Sequence, residues 1–183
     1  MAKPATSGYN KYTFLPEIAY ECVKYLLENN QLVWKLLRYT TPDAYSKPNL
    51  TKAQKGALIW KGEGTTDNFN VFMDGGLPDV EMKETTILRI SPYQVFPKNR
   101  SIGDIAMIME VYSHYKINTM SNYQTRVDTI MQQLLETFNG AEIGGIGLMN
   151  FSKQGLSAVR IEEAGQIPFK GKWQCLITKS EYK

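Results

Sequence analysis

Ile105-Ala106-Met107-Ile108-Met109-Glu110-Val111-Tyr112-Ser113-His114-Tyr115-Lys116-Ile117 alternates with a period of two. Ile105, Met107, Met109, Val111, Ser113, Tyr115 and Ile117 take the odd positions, and Glu110, Tyr112, His114 and Lys116 are among the even ones. Successive side chains of a strand face opposite ways, so this stretch predicts one strand about 43 Å long at a typical rise of ~3.3 Å per residue. Upstream, Thr86-Ile87-Leu88-Arg89-Ile90 and Tyr93-Gln94-Val95-Phe96 read as its partner, broken or bent at Pro92, which has no N–H for a ladder. Joined across Pro97-Lys98-Asn99-Arg100-Ser101-Ile102-Gly103, the two make a hairpin long enough to project beyond the core.

Helices flank this hairpin. Leu15, Ile18, Ala19, Cys22, Tyr25 and Leu26 recur at helical spacing, with Pro16 in the first turn, and Glu17 and Glu21 near the positive end of the helix dipole. After Asn29-Asn30, a second amphipathic stretch carries Leu32, Val33, Leu36 and Leu37 and stops before Pro42. Thr51-Lys52-Ala53-Gln54 and Ser121-Asn122-Tyr123-Gln124 both have capping-box spacing. The second precedes an apolar stripe of Val127, Ile130, Met131, Leu134 and Phe138, which Asn139-Gly140 ends. Three further strands are predicted at Ile146 to Phe151, Leu156 to Ile161 and Lys172 to Thr178, and a short one at Phe69 to Met73. The order predicts an α+β fold: a mostly antiparallel sheet with a long β-hairpin, N-terminal helices, and one helix after the hairpin packed on the sheet. Residues 1–12 read as an N-terminal arm with Tyr9 and Tyr12 as anchors, and 13–183 as a single domain with a loop-rich region at about 40–84.

Of 183 residues, 43% are hydrophobic and 21% charged, which suits one globular domain and excludes disordered or collagen-like classes. No apolar run is long enough for a membrane helix, and the first residues lack the apolar core of a secretory signal, so a soluble cytoplasmic product without a membrane partner is expected. The net charge of +3 is too small for a dedicated nucleic-acid binder, but it is unevenly placed. Residues 1–61 hold 9 basic and 4 acidic side chains, and residues 62–95 hold 2 and 6, a segregation that lets one copy's acidic segment meet a neighbour's basic one.

Little in the chain points to chemistry. The single histidine, His114, falls within the long strand pattern, and Cys22 and Cys175 stand far apart without metal-ligand spacing. Gly144-Gly145-Ile146-Gly147 follows a helix and leads into a strand, the reverse of a phosphate-cradling loop. No catalytic residue, cofactor or metal is expected. Lys47, Lys52, Lys55 and Lys61 beside Tyr45 and Trp60 could line a nucleic-acid groove, although a hydrophobic seam explains the aromatics more simply. The hairpin tip, with Lys98, Asn99 and Arg100, is the candidate contact surface.

The segment from Glu110 through Asp128, continuing into Asn139-Gly140-Ala141-Glu142-Ile143-Gly144-Gly145-Ile146-Gly147, resembles tailed-bacteriophage neck proteins. With Leu88-Arg89-Ile90-Ser91-Pro92-Tyr93 before it and a closing strand from Trp173 to Thr178, the element order is similar to that of tail terminator, or head-to-tail joining, proteins. The stretch from 40 to 84 is longer than a minimal terminator requires. The resemblance implies a structural virion protein, assembled in the host cytoplasm, whose copies form a ring, usually a hexamer. Such a ring caps the tail tube, docks to the head connector, and passes DNA through its lumen without reading it. The alternatives are another neck or baseplate structural protein, or a small nucleic-acid-binding module.

Overall fold

The computed structural model describes residues 15–63, 66–73, 84–97, 103–143, 147–157 and 173–180. Helices α1 (Leu15–Asn29), α2 (Leu32–Arg38) and the short α3 (Lys52–Gly56) come first, followed by strand β1 (Val71–Phe72) and the pair β2 (Thr86–Pro97) and β3 (Gly103–Ser113). Then come the one-turn α4 (Tyr115–Asn118), α5 (Arg126–Phe138), β4 (Ala141–Ile143), β5 (Gly147–Ser157) and β6 (Trp173–Ser180). The strands form one sheet in the order β1-β2-β3-β6-β5-β4, antiparallel at every junction except β1 with β2. The fold is α+β, as the order of patterns implies.

The period of two sorts the two faces of the hairpin. Ile105, Met107, Met109 and Val111 of β3 join Leu88 and Ile90 of β2 in the main core. Against them pack Ile18, Cys22 and Leu26 of α1, the wholly buried Trp34 of α2, and Ile130, Leu134 and Phe138 of α5. These are the stripes that the helical spacing marks. The opposite face carries a smaller cluster of Phe72, Ile87 and Tyr112, with Trp60 and Phe69 against it, which places Trp60 in the expected hydrophobic seam. Beside that cluster Arg89 and Glu110, directly opposite in register, form a mostly buried ion pair at 2.5 Å.

Several boundaries differ from the pattern, each for a local reason. The long strand ends at Ser113, because the His114 side chain accepts the Lys116 N–H and caps α4. The alternation beyond it is coincidental: Ile117 is buried and Tyr115 exposed although both are odd. The partner strand is continuous through Pro92, with a register shift between Pro92 and Gln94, so the proline bends the strand without dividing it. Likewise the described parts of the strands expected at Ile146 to Phe151 and Leu156 to Ile161 are one strand, β5, with an irregularity between Phe151 and Leu156, while residues 146 and 158–161 lie outside the described residues. Thr51 and Gln54 make the expected capping box, but Ser121 caps nothing. The cap of α5 is Thr125, whose hydroxyl accepts the Asp128 N–H, and Ser121 instead donates its N–H to Pro42 O. Gly140, at φ +75°, closes α5 as the Asn-Gly signal implies.

One buried cation fixes how the helices meet. Arg126 opens α5 and is fully buried. Its Nε donates to Ile117 O (3.0 Å), its Nη1 to Leu36 O (2.8 Å) and Tyr39 O (2.6 Å), and its Nη2 to Thr41 O (3.0 Å). Three of those carbonyls close the C-terminal end of α2, where the dipole favours positive charge and the backbone acceptors lack helical partners. Lys55 does the same for α1, donating to Leu27 O (2.7 Å) and Asn30 O (2.9 Å). Replacing Arg126 with Ala strands four carbonyls, those of Ile117 and Leu36 buried and those of Tyr39 and Thr41 partly so, and Arg126→Ala is expected to destabilise the fold by about 3–5 kcal/mol. Arg126→Lys, which keeps the charge but not the fork, should lose less. Denaturant titration of both variants checks this, and equal losses would count against the role of the fork.

Candidate functional site

The expected contacts Lys98, Asn99, Arg100, Tyr9 and Tyr12 lie outside the described residues. What the structure describes is the stem below the tip, where Pro97 pairs with Gly103 at the end of an antiparallel ladder that begins at Thr86 and Ser113. Eleven register pairs lead to Pro97 and Gly103, where the described stem ends.

The residues weighed for chemistry are not brought together. Cys22 is fully buried in the main core, and burial pushes its thiol up to about 12, so at neutral pH it is an inert packing group. Cys175 lies in β6 opposite Glu110. His114 serves as a helix cap with its ring 4.6 Å from that of Tyr115. Among the described residues no three His, Cys, Asp or Glu side chains gather as a metal site. Of the lysines weighed for a nucleic-acid groove, Lys55 points inward, Lys47 pairs with Asp43 at 2.8 Å, and Lys52 reaches Glu28 at 3.7 Å.

A different surface feature stands out. Tyr123 has φ +64°, the only positive value for a non-glycine among the described residues, and its side chain is 95% exposed. The turn holding it is over-determined. Tyr123 N donates to Met120 O (3.0 Å), Met120 N to Gln124 O (3.0 Å), and Gln124 N to the Asn122 side-chain oxygen (3.2 Å). Ser121 ties the turn to the Pro42–Tyr45 loop through its N–H to Pro42 O (2.9 Å) and its hydroxyl to Tyr45 Oη (3.3 Å). Neighbouring structure thus holds a bulky residue in a left-handed conformation while leaving it almost wholly exposed among the described residues. The sequence hides this, because Ser-Asn-Tyr-Gln has the spacing of a helix cap. Arg126 stands four residues before Ile130 on the stripe with Leu134 and Phe138, and that spacing is its one signal in the sequence.

Residues 30–166, about three quarters of the chain, match the family model described as YomW. No curated protein matches the chain.

Two outcomes follow from this geometry. In a Cys175→Ser chain, Cys22 should resist a thiol reagent at pH 8 until the protein unfolds, then react fully; labelling of the native form at the rate of a free thiol would contradict its burial. Tyr123→Gly should raise stability by about 0.5 kcal/mol, or ~1–2 °C in Tm, because relief of the left-handed strain exceeds the added freedom of the unfolded chain. A fall in Tm would show that the tyrosine ring contributes to the fold itself.

Proposed function

The chain belongs to the YomW family, a phage-type family, and from that premise we propose that this phage-associated protein is a structural component of the virion neck. In this reading its copies form a ring, most simply a hexamer, that caps the tail tube, joins the tail to the head connector and leaves a lumen for DNA. The observation that carries the proposal is the architecture: N-terminal helices, a long hairpin, a helix after it and closing strands. That element order is similar to tail terminator proteins, and phage association favours the same reading.

The physical features suit such a role. A ring subunit must present different surfaces to its neighbours, to the tube and to the connector. The stem of β2 and β3 carries one candidate, with Lys98, Asn99 and Arg100 at its tip; the turn presenting Tyr123 is another. The protein has no enzymatic role in this reading, and DNA is a passenger, for which a net charge of +3 is compatible because a strongly basic lumen would retard transit.

A phage deprived of this chain should build filled heads and tails that fail to join, and the purified protein added back should restore joining. Electron microscopy of lysates reads the outcome directly. Joined, infectious particles at normal yield without the chain would overturn the neck assignment.

A further inference from the structure

Asn139-Gly140 is the one Asn-Gly pair in the chain, and it occupies the exposed junction between α5 and β4. Such a pair carries a chemistry of its own. Glycine has no side chain to shield its backbone nitrogen, so that nitrogen, once it has lost its proton, can attack the Asn Cγ. A C–N bond forms, the side-chain amide leaves as ammonia, and a five-membered succinimide results. Water then opens the ring at either carbonyl, leaving aspartate or, where the main chain now runs through the former side chain, isoaspartate. The sequence consumes one water and releases one ammonia.

The fold blocks the first step twice. Ring closure needs the Gly140 nitrogen to eclipse Cβ of Asn139, which in an L-residue occurs at ψ of about −120°. Asn139 stands instead at φ −68° and ψ 119°, with its N–H donating to Leu135 O (2.9 Å) at the end of α5. The second block is on the proton. Gly140 N–H donates to Met149 O (2.8 Å), which holds the nitrogen in the sheet and keeps its proton from hydroxide. Glycine is required here for its φ of +75°, since an added Cβ would meet nothing within 4 Å. The conformation that closes α5 thus places a reactive pair at the corner and disarms it.

Both blocks depend on β4. That strand has three residues, makes three register pairs with β5 at the end of the sheet order, and is held to the core by the buried Ala141 and Ile143. A short terminal element of this kind opens at a lower free energy than the whole domain. We propose that Asn139 is a latent deamidation site, closed while β4 pairs with β5 and released to react whenever β4 lifts. Conversion is one-way. Isoaspartate adds a methylene to the main chain just before Gly140, which displaces the register that pairs Ala141 with Met149. Either product also puts a carboxylate at the negative end of the α5 dipole, within three residues of the exposed Glu136 and Glu142. A chain that has opened and reacted is therefore weakened at this corner, and a chain that stays closed keeps its amide. The inference is independent of the ring reading.

Peptide mass mapping of the full chain incubated at pH 8 tests this, through the mass gain that marks replacement of the Asn139 amide by an acid. In denaturant, Asn139 should convert as fast as it does in a short peptide containing Asn139-Gly140, and in the folded chain at least ~10-fold more slowly. Equal rates folded and unfolded would overturn the proposal. Hydrogen exchange gives an independent reading, because loss of the Gly140 amide proton begins both reactions. That amide should be protected at least ~10-fold in the folded chain. Free exchange at Gly140 beside a slow Asn139 would overturn the role of the Met149 bond. Glu142→Pro, which removes the N–H at the middle of β4, should speed conversion several-fold in a chain whose melting curve still shows it folded. Unchanged conversion in that folded variant would overturn the gate at β4.

Discussion

The guanidinium of Arg126 is the constraint around which the helical layer is organised. It sits at the first position of α5, the wrong end of its own helix for a positive charge, and Thr125 and Asp128 offset that locally. Its charge is used elsewhere, on Leu36, Tyr39 and Thr41 at the end of α2 and on Ile117 at the end of α4. Burial pulls its pKa down to about 10, still far enough above neutrality for the group to remain a cation. A planar fork donating to four carbonyls joins three stretches of chain that share no continuous secondary structure. Apolar packing against the sheet could bring these helices close, but it is not directional and would not by itself set their mutual angle.

The same device recurs at α1. Lys55 reaches from α3 to two carbonyls at the end of α1 and lies 6.0 Å from the centre of the Trp34 ring. The Trp34 indole N–H donates to Leu26 O. Asn30 completes the junction by accepting the Val33 N–H and donating to Thr137 of α5. Both N-terminal helices thus end on buried donors supplied from outside themselves, and a short break between them becomes a fixed corner. The sheet lies on the other side of that corner, so the position of the hairpin stem relative to the helices depends on it.

Much of this was legible in the sequence, and the failures have identifiable causes. Period-two and period-3.6 patterns placed the hairpin, α1, α2 and α5, because the residues that alternate are those that meet the core. Boundaries failed where a polar side chain acted over two or three residues. His114 capped α4 inside an unbroken alternation, and Thr125 took the capping role assigned to Ser121. β4 escaped notice because three residues carry too little pattern, and β5 was divided because its irregularity interrupts the alternation. The contact surface is harder still. Nothing in the residue pattern distinguishes Tyr123 from a first-turn residue, since the turn that holds it combines bonds among residues 120–124 with the tie of Ser121 to the distant Pro42–Tyr45 loop. Lys55 looks like an ordinary surface charge and Arg126 shows only its place on the apolar stripe of α5, because their acceptors are backbone carbonyls and carry no sequence signature.

The reach of Arg126 also orders events during synthesis. The carbonyls of Leu36, Tyr39 and Thr41 precede it by 90, 87 and 85 residues. At a translation rate of ~5–20 residues per second, the end of α2 therefore waits on the order of 4–17 s before its partner has been made. Lys55 follows Leu27 and Asn30 by only 28 and 25 residues and arrives several times sooner. The nascent chain passes through an interval in which α1 is closed and α2 still frays, with the apolar stripes of both helices lacking the sheet that later covers them. That interval ends with the arrival of the hairpin and α5.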